Sequence, residues 1–222
     1  MFHYQNIGEI QEEAKKEGVY LPFSMDTAPL KGSIRLEGKE IPNRIAIQPM
    51  EGCDGTADGK PDELTLRRYE KFAKSGAGLI WEEATAVWEE GRANPRQLWI
   101  KEENLDAFRA MNHRIREISM RENGYVPLIL MQATHSGRYS KPHGVPEPLI
   151  ACNNPIFEKD GPISQERIVS DDYLKRLVER MGEAAYLAQK AGFDGVDVKS
   201  CHRYLGSELL SAFTRPGLFG GS

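Results

Sequence analysis

Residues 126–138 read VPLILMQATHSGR, an apolar run that turns polar at Gln132. A short apolar run of this kind is typical of a buried strand. It follows Asn123 and Gly124, a pair that commonly ends a helix. Before that pair, apolar residues recur at helical spacing: Leu105, Phe108, Met111, Ile115 and Ile118. The stretch therefore predicts a helix followed by a buried strand.

The same alternation continues on both sides of this stretch. The predicted strands are residues 44–48, 78–81, 126–131 and 194–198, and the helices that follow them are residues 65–75, 104–121, 171–191 and 204–213. Strands that alternate with helices favour a parallel sheet. A long polar loop, residues 134–169, interrupts the third unit. Ahead of the repeat we expect a charged helix at 6–16 and a hairpin at 32–41.

Four βα units predict an α/β fold of the TIM type, a (β/α) barrel of which only the first half is present. A complete eight-unit barrel needs about 250 residues. A doubly wound sheet is disfavoured because QPMEGCDG, and no GxGxxG turn, follows the first strand. We therefore predict an amino-terminal extension with a barrel-capping hairpin over residues 1–42, and a half-barrel over residues 43–222.

Composition excludes several classes of protein. The 222 residues are 40% hydrophobic and 28% charged, with a net charge of -4 that gives no basic surplus for nucleic acid or an anionic membrane. No apolar run reaches the ~20 residues needed to span a bilayer, and the charged amino terminus is unlike a signal peptide. The cysteines, Cys53, Cys152 and Cys201, are too widely spaced for a metal motif. We expect a cytoplasmic protein without a metal.

Polar residues follow each predicted strand, where the carboxyl ends of a parallel barrel build active sites. The pairs are Met50 and Glu51, Glu83 and Ala84, Gln132 and His135, and Lys199 and His202. The adjacent carboxyls of Glu82 and Glu83 are expected to point to opposite sides of their strand. The pattern predicts one polar site contributed by four strand ends.

Four stretches resemble the flavin-dependent Old Yellow Enzyme family of ene-reductases and NADH:flavin oxidoreductases. They are NRIAIQPM (43–50), GLIWEEATAVWEEGR (78–92), LILMQATHSGR (128–138) and AGFDGVDVKSCHRYLGSELLSAFTRPGLFGGS (191–222). The resemblance implies a flavin-binding barrel that holds FMN and is reduced by NADH or NADPH. It assigns cofactor contacts to five residues: Pro49, Met50, Ala84, Gln132 and His202. His135, Gly137 and Arg138 match a segment that we interpret as mainly structural.

The resemblance also implies three catalytic residues. Lys199 and His202 match the pair that binds the electron-withdrawing group of the substrate. Tyr204 matches a tyrosine that donates a proton to the substrate. Donors aimed at a developing oxyanion stabilise the transition state, and a phenol can act as the general acid. Lys199 replaces a histidine, and we hypothesise that its charge favours a 2-enoate substrate. Glu51 stands where relatives carry Thr or Cys, and Cys53 lies two residues later.

The sequence thus predicts an FMN-dependent oxidoreductase that reduces activated C=C bonds, with a small alkene as substrate. The family's phosphate-binding loops follow later strands, so we expect a carboxyl-terminal half-barrel or self-association as partner. An alternative is a catalytically incompetent half-barrel, a fragment or scaffold that associates through its open strand edges. A third option is an unrelated barrel enzyme that uses Lys199 as a Schiff-base amine.

Overall fold

A computed structural model describes residues 3–221 of the chain, so residues 1, 2 and 222, at the ends of the two predicted domain ranges, lie outside the described residues. The strands are β1 (Ile34–Leu36), β2 (Lys39–Ile41), β3 (Ala46–Ile47), β4 (Leu79–Ala86), β5 (Leu128–Thr134) and β6 (Gly195–Val198). The helices are α1 (Ile7–Lys16), α2 (Ala28–Lys31), α3 (Glu63–Lys74), α4 (Leu105–Asn123), α5 (Asp171–Lys190) and α6 (Leu205–Leu209).

The four strands β3, β4, β5 and β6 form one parallel sheet in that order. The predicted parallel α/β arrangement of four βα units is therefore confirmed. In the register, Ala84 lies opposite Gln132, which lies opposite Asp197. Within residues 3–221, β3 pairs only with β4 and β6 only with β5. Each outer strand thus has one edge without a strand neighbour in the described part of the chain.

The helix boundaries follow from local capping. The side chain of Ser170 accepts a hydrogen bond from the backbone N–H of Tyr173 and so begins α5. Gly124, at φ 79°, ends α4 in the left-handed conformation that glycine adopts without strain. Helix α3 begins at Glu63, earlier than predicted, because Asp62 caps it. No helix in residues 3–221 is both long and apolar enough to cross a membrane.

The predicted bounds of four elements were wrong. Strand β4 was predicted to end at Trp81, yet it continues through Ala86, and β5 continues through Thr134. In both cases polar side chains that suggested a turn are buried within the strand. Strand β3 has only two residues, and helix α6 ends at Leu209. Polarity alone therefore placed the ends of β4 and β5 too early.

The predicted hairpin is confirmed, and its turn explains its geometry. Glu37 and Gly38, which join β1 to β2, have φ values of 47° and 78°. Two consecutive positive φ values are typical of the type I′ turn, whose twist matches that of the flanking strands. The hairpin lies near the amino-terminal ends of the parallel strands, where Lys39 contacts Asp194. The division into two domains at residue 42 stays a prediction.

The hydrophobic core lies between one face of the sheet and helices α3, α4 and α5. Its fully buried members include Ile80, Phe108, Met111, Ile115, Ile129 and Met131. On the opposite face, Leu79, Trp81 and Leu130 are only half-buried. Alternation of side chains along a strand explains the difference between the two faces. The sheet therefore has one covered face and one face that is open among the described residues.

Asp194 joins three elements at the amino-terminal end of β6. Its carboxylate accepts hydrogen bonds from Lys39 Nζ at 2.5 Å, from Arg116 Nη2 at 2.9 Å and from the backbone N–H of Ile129 at 3.0 Å. Burial opposes the ionisation of Asp194, but the bonds from Lys39 and Ile129 and the charge of Arg116 lower its pKa below the ordinary value. The hairpin, α4 and β5 thus meet at one carboxylate.

We predict that Asp194→Asn lowers the free energy of unfolding by about 1–2 kcal/mol at pH 7, because charge-assisted hydrogen bonds are lost. Because the folded-state pKa of Asp194 is depressed, its contribution is complete above the unfolded pKa of about 3.9 and is lost as pH falls through the folded value. Urea unfolding from pH 3 to pH 7 measures both effects. The control is Asp106→Asn, whose partner Arg109 lies in an exposed pair. Equal losses in the two variants would contradict the prediction.

Candidate active site

Glu51 brings together residues from the first and last strands of the parallel sheet. The ammonium of Lys199, which directly follows β6, donates to Glu51 Oε1 at 2.8 Å. The hydroxyl of Tyr204, which caps α6, donates to the same oxygen at 3.2 Å. Two of the three predicted catalytic residues therefore converge on one carboxylate, which the sequence had marked only as a departure from relatives.

This cluster is almost closed to water. The side chain of Lys199 is 2% exposed and that of Glu51 is 17% exposed, and the ammonium lies 4.3 Å from the centroid of the Tyr204 ring. Burial, together with the negative charge of Glu51 and the hydrogen bond to it, raises the pKa of Tyr204 well above its ordinary value. A phenol is protonated at neutral pH in any case, and these contacts hold the proton of Tyr204 more tightly.

His202 lies at the rim of the cluster and not within it. Its side chain is exposed, and its ring centroid is 6.3 Å from that of Tyr204. His202 and Arg203 have φ values of 56° and 59°, so two successive non-glycine residues are left-handed. In residues 3–221, no hydrogen bond joins the His202 imidazole to Lys199 or Tyr204. The structure thus places the third predicted catalytic residue on the turn that separates the other two.

Gln132 and Ala84, both predicted to contact a cofactor, lie side by side in the sheet register. Gln132 Nε2 donates to Asp197 Oδ2 at 2.8 Å, which fixes the amide with its nitrogen toward β6. The carbonyl of Ala84 accepts a hydrogen bond from Gln97 Nε2 at 2.9 Å. The sequence prediction missed Asp197 and Gln97. The available signal for Asp197 was its position two residues before Lys199, on the same side of the chain.

Pro49 and Met50 follow β3 at the same end of the sheet. Pro49 is half-buried, and Met50 is 69% exposed. An exposed thioether side chain supplies an apolar, polarisable surface. Gln132 supplies an amide that can both donate and accept, and no described residue donates to its Oε1. An apolar surface and an oriented amide at the same end of the sheet suit a flat heteroaromatic ring with a polar edge, such as the ring system of FMN.

Arg68 on α3 fixes the loop that carries Glu51. Its guanidinium contacts Glu83 and donates to Asp54 Oδ2 at 2.6 Å. Glu83 Oε2 in turn accepts a hydrogen bond from the backbone N–H of Gly52 at 2.8 Å. A Cβ on Gly52 would lie only 1.8 Å from Arg68 Nη1, so a side chain at this position would displace the guanidinium from its present contacts. The backbone next to Glu51 is therefore held by a buried ion pair.

The two adjacent carboxyls of β4 do not follow the predicted alternation. The register shifts between Glu82 and Ala84, and both Glu82 and Glu83 are buried. Burial raises the pKa of Glu83, and the charge of Arg68 opposes that shift. Burial and the neighbouring charge of Glu83 raise the pKa of Glu82 still further, and its carboxyl oxygens have no partner in the described residues. Burial therefore disfavours the charged form of Glu82, whereas Glu83 has Arg68 as its ion-pair partner.

Cys53 lies in the same loop but is not an activated nucleophile. It is exposed, with φ 51°, and its sulfur accepts a hydrogen bond from Asn94 Nδ2 at 3.0 Å. Partial burial and the negative charges of Glu51, Glu83 and Asp54 raise its pKa. A thiol with a raised pKa is a poor nucleophile because the thiolate is the reactive form.

His135 and Arg138 make contacts within the protein. The backbone N–H of Gly137 donates to His135 Nδ1 at 3.1 Å, so Nε2 carries the proton and donates to the Tyr173 hydroxyl at 2.7 Å. Burial lowers the pKa of His135 to about 4, which keeps the ring neutral. Arg138 bonds to Glu208 at 2.5 Å and contacts Glu158, which attaches the long loop to α6. These contacts suit the structural interpretation of this segment.

The family of this chain follows from its similarity to known proteins. The model of the NADH:flavin oxidoreductase / NADH oxidase family matches residues 30–217. Over 193 residues the chain is 31% identical to an NADPH dehydrogenase of Bacillus pumilus, which covers 84% of this chain and 53% of that protein. An NADPH dehydrogenase of a Geobacillus species is 31% identical over 192 residues, with the same two coverages.

The fold of this chain also matches solved structures. The Old Yellow Enzyme homologue from Zymomonas mobilis superposes with a TM-score of 0.71 at 27% identity, over 87% of this chain and 55% of that chain. Morphinone reductase in complex with tetrahydroNAD superposes with a TM-score of 0.68 at 26% identity, over 87% and 55%. The chain therefore spans about half the length of the proteins that it matches.

We predict that Arg68→Met lowers the free energy of unfolding by about 3–5 kcal/mol, because it leaves Glu83 buried without its partner. The control is Arg67→Met on the same helix, which removes an exposed side chain and changes stability by less than about 0.5 kcal/mol. Denaturant unfolding at pH 7 compares the two variants. A loss below 1 kcal/mol in Arg68→Met would show that the ion pair does not hold this loop.

Proposed function

The chain belongs to the NADH:flavin oxidoreductase / NADH oxidase family, and on this premise we propose that it is the first half of an FMN-dependent enzyme that reduces activated C=C bonds with NADH or NADPH. The observation that carries the proposal is the convergence of Lys199 and Tyr204 at the same end of the sheet as Gln132 and Met50. Because the chain spans half of its relatives, the activity is proposed for the whole protein.

Five residues are proposed to hold the cofactor: Pro49, Met50, Ala84, Gln132 and His202. The exposed Met50 side chain supplies an apolar contact, and the Gln132 amide, oriented by Asp197, supplies a polar one. When bound, FMN supplies the hydride chemistry, which the protein itself cannot perform. The resemblance implies that the phosphate of FMN binds loops that follow later strands.

The chain's own residues would act on the substrate as donors. The ammonium of Lys199 is placed to donate to a carbonyl oxygen, and such a donor stabilises the negative charge that develops there. A phenol is protonated at neutral pH, and burial and Glu51 raise the pKa of Tyr204 further, so its hydroxyl holds a proton that it could deliver to the α-carbon. His202 at the rim is placed to contact either the substrate or the cofactor. The substrate class is a small activated alkene, an enone or a 2-enoate.

A second candidate function follows from the sheet edges. Within residues 3–221, β3 and β6 each lack a neighbour on one side, and Val198 at the end of β6 is 55% exposed. Unpaired strand edges promote pairing with another chain. A catalytically incompetent half-barrel would associate through these edges without holding FMN, whereas the first half of an enzyme would use them to bind a carboxyl-terminal half-barrel. A cytoplasmic location suits both candidates.

We predict that the full chain, mixed with FMN and passed through gel filtration, retains flavin with a protein-bound visible spectrum near one FMN per chain. Gln132→Ala is expected to weaken FMN binding about tenfold, because one hydrogen bond of about 1.4 kcal/mol is lost. Gln189→Ala, on the exposed face of α5, is the matched control and should leave the affinity unchanged.

Anaerobic addition of NADPH or NADH to the retained flavin, followed by an activated alkene, then tests the two half-reactions through loss and recovery of flavin absorbance. A colourless chain after gel filtration would contradict FMN binding by these residues alone and favour the scaffold. Equal FMN affinity for Gln132→Ala and wild type would remove Gln132 from the proposed site.

For the edge-association candidate, we predict that the chain alone sediments as a dimer or a larger species. Val198→Lys is expected to shift the species toward monomer, because charge on an edge strand opposes strand pairing. Val145→Lys, at a comparably exposed loop position, is the control and should not change the mass. A monomer at every concentration would rule out self-association through β6.

A further inference from the structure

Glu51 receives two hydrogen bonds at one oxygen, as a substrate oxyanion would. Its Oε1 accepts from Lys199 at 2.8 Å and from Tyr204 at 3.2 Å, and these are the donors assigned to the substrate. We propose that Glu51 is a specificity-determining residue: its carboxylate occupies the anion position formed by Lys199 and Tyr204, and it thereby excludes carboxylate ligands in favour of neutral carbonyl compounds.

The charges around this position support the proposal. The side chain of Lys199 is 2% exposed. Within residues 3–221, Lys199 makes one ion pair, and its partner is Glu51. The positive charge is therefore already compensated inside the cluster. Asp54 and Glu83, the other carboxylates near this loop, are both paired with Arg68. The carboxylate of Glu51 is thus the negative charge that an anionic ligand would meet at Lys199.

A neutral carbonyl faces no such barrier. An ammonium has three N–H donors, and Glu51 uses one of them. A carbonyl oxygen can accept a second donor with Glu51 in place, whereas a carboxylate would bring a like charge next to Glu51. An unpaired Lys199 ammonium would favour a 2-enoate, because it would attract the carboxylate of the substrate. The ion pair with Glu51 reverses that expectation.

The loop geometry makes Glu51 a fixed part of the site. The N–H of Gly52, the next residue, donates to Glu83, which is itself held by Arg68. The backbone at Glu51 is thus anchored, and only rotation of the side chain can empty the anion position. The anion position formed by Lys199 and Tyr204 is defined by contacts within the chain alone. Its role in substrate specificity rests on the proposed function.

The test uses the full chain without flavin and formate as the probe. In Glu51→Ala the carboxylate is removed and Lys199 remains, so formate should bind in its place. We expect a saturable rise in Tm of about 3–6 °C at a formate concentration ten times its Kd. Wild type should show no saturable rise, with chloride at equal ionic strength as the reference. In Glu51→Ala/Lys199→Met the rise should disappear.

Glu51→Thr is the second variant, and it is measured in the same way if the alanine variant does not fold. The proposal is overturned if wild type binds formate as tightly as the Glu51 variants, or if the rise persists without Lys199. If the chain fails to retain FMN but shows the expected formate response, the proposed function is contradicted and the proposal that Glu51 occupies an anion position is supported. If the chain retains FMN but the Glu51 variants show no formate response, the anion position alone is contradicted.

Discussion

The candidate site depends on the ion pairs of the half-buried Arg68 guanidinium. This guanidinium lies between Asp54, in the loop after β3, and Glu83, in β4, and so connects a helix to two strand ends. A carboxylate as buried as Glu83 stays ionised only with a partner of opposite charge. Through Gly52 the same ion pair holds the backbone next to Glu51. The arrangement of Glu51, Lys199 and Tyr204 therefore depends on a residue that touches none of the three.

Much of the fold was predictable because apolar periodicity and capping residues act locally. Helices α4 and α5 were located by their apolar spacing and by Gly124 and Ser170 at their ends. The strand ends were less predictable because burial of Glu82, Glu83 and Gln132 depends on residues distant in sequence. Arg68, for instance, lies 15 residues from Glu83. A polar side chain in a strand signals a turn only where no such partner exists.

The site was predictable as a set of residues but not as a set of contacts. The motifs identified Lys199, Tyr204 and Gln132, and the sheet places all three at one end. That Glu51 would join the first two was not visible in the sequence, because nothing local relates a loop after β3 to the end of β6. The same holds for the bond between Gln132 and Asp197, which depends on the register of two parallel strands.

The ion pair of Glu51 with Lys199 also has a consequence for the order of folding. Each strand of the parallel sheet pairs with the next one along the chain, so the sheet can grow one unit at a time from β3. The pair joins residues 148 positions apart, and it can close only after β6 has docked. Contacts of such long sequence separation form late because loop closure is entropically costly. During synthesis, the pair of Glu51 and Lys199 therefore forms later than the neighbouring strand contacts, and it closes only once β6 is in place.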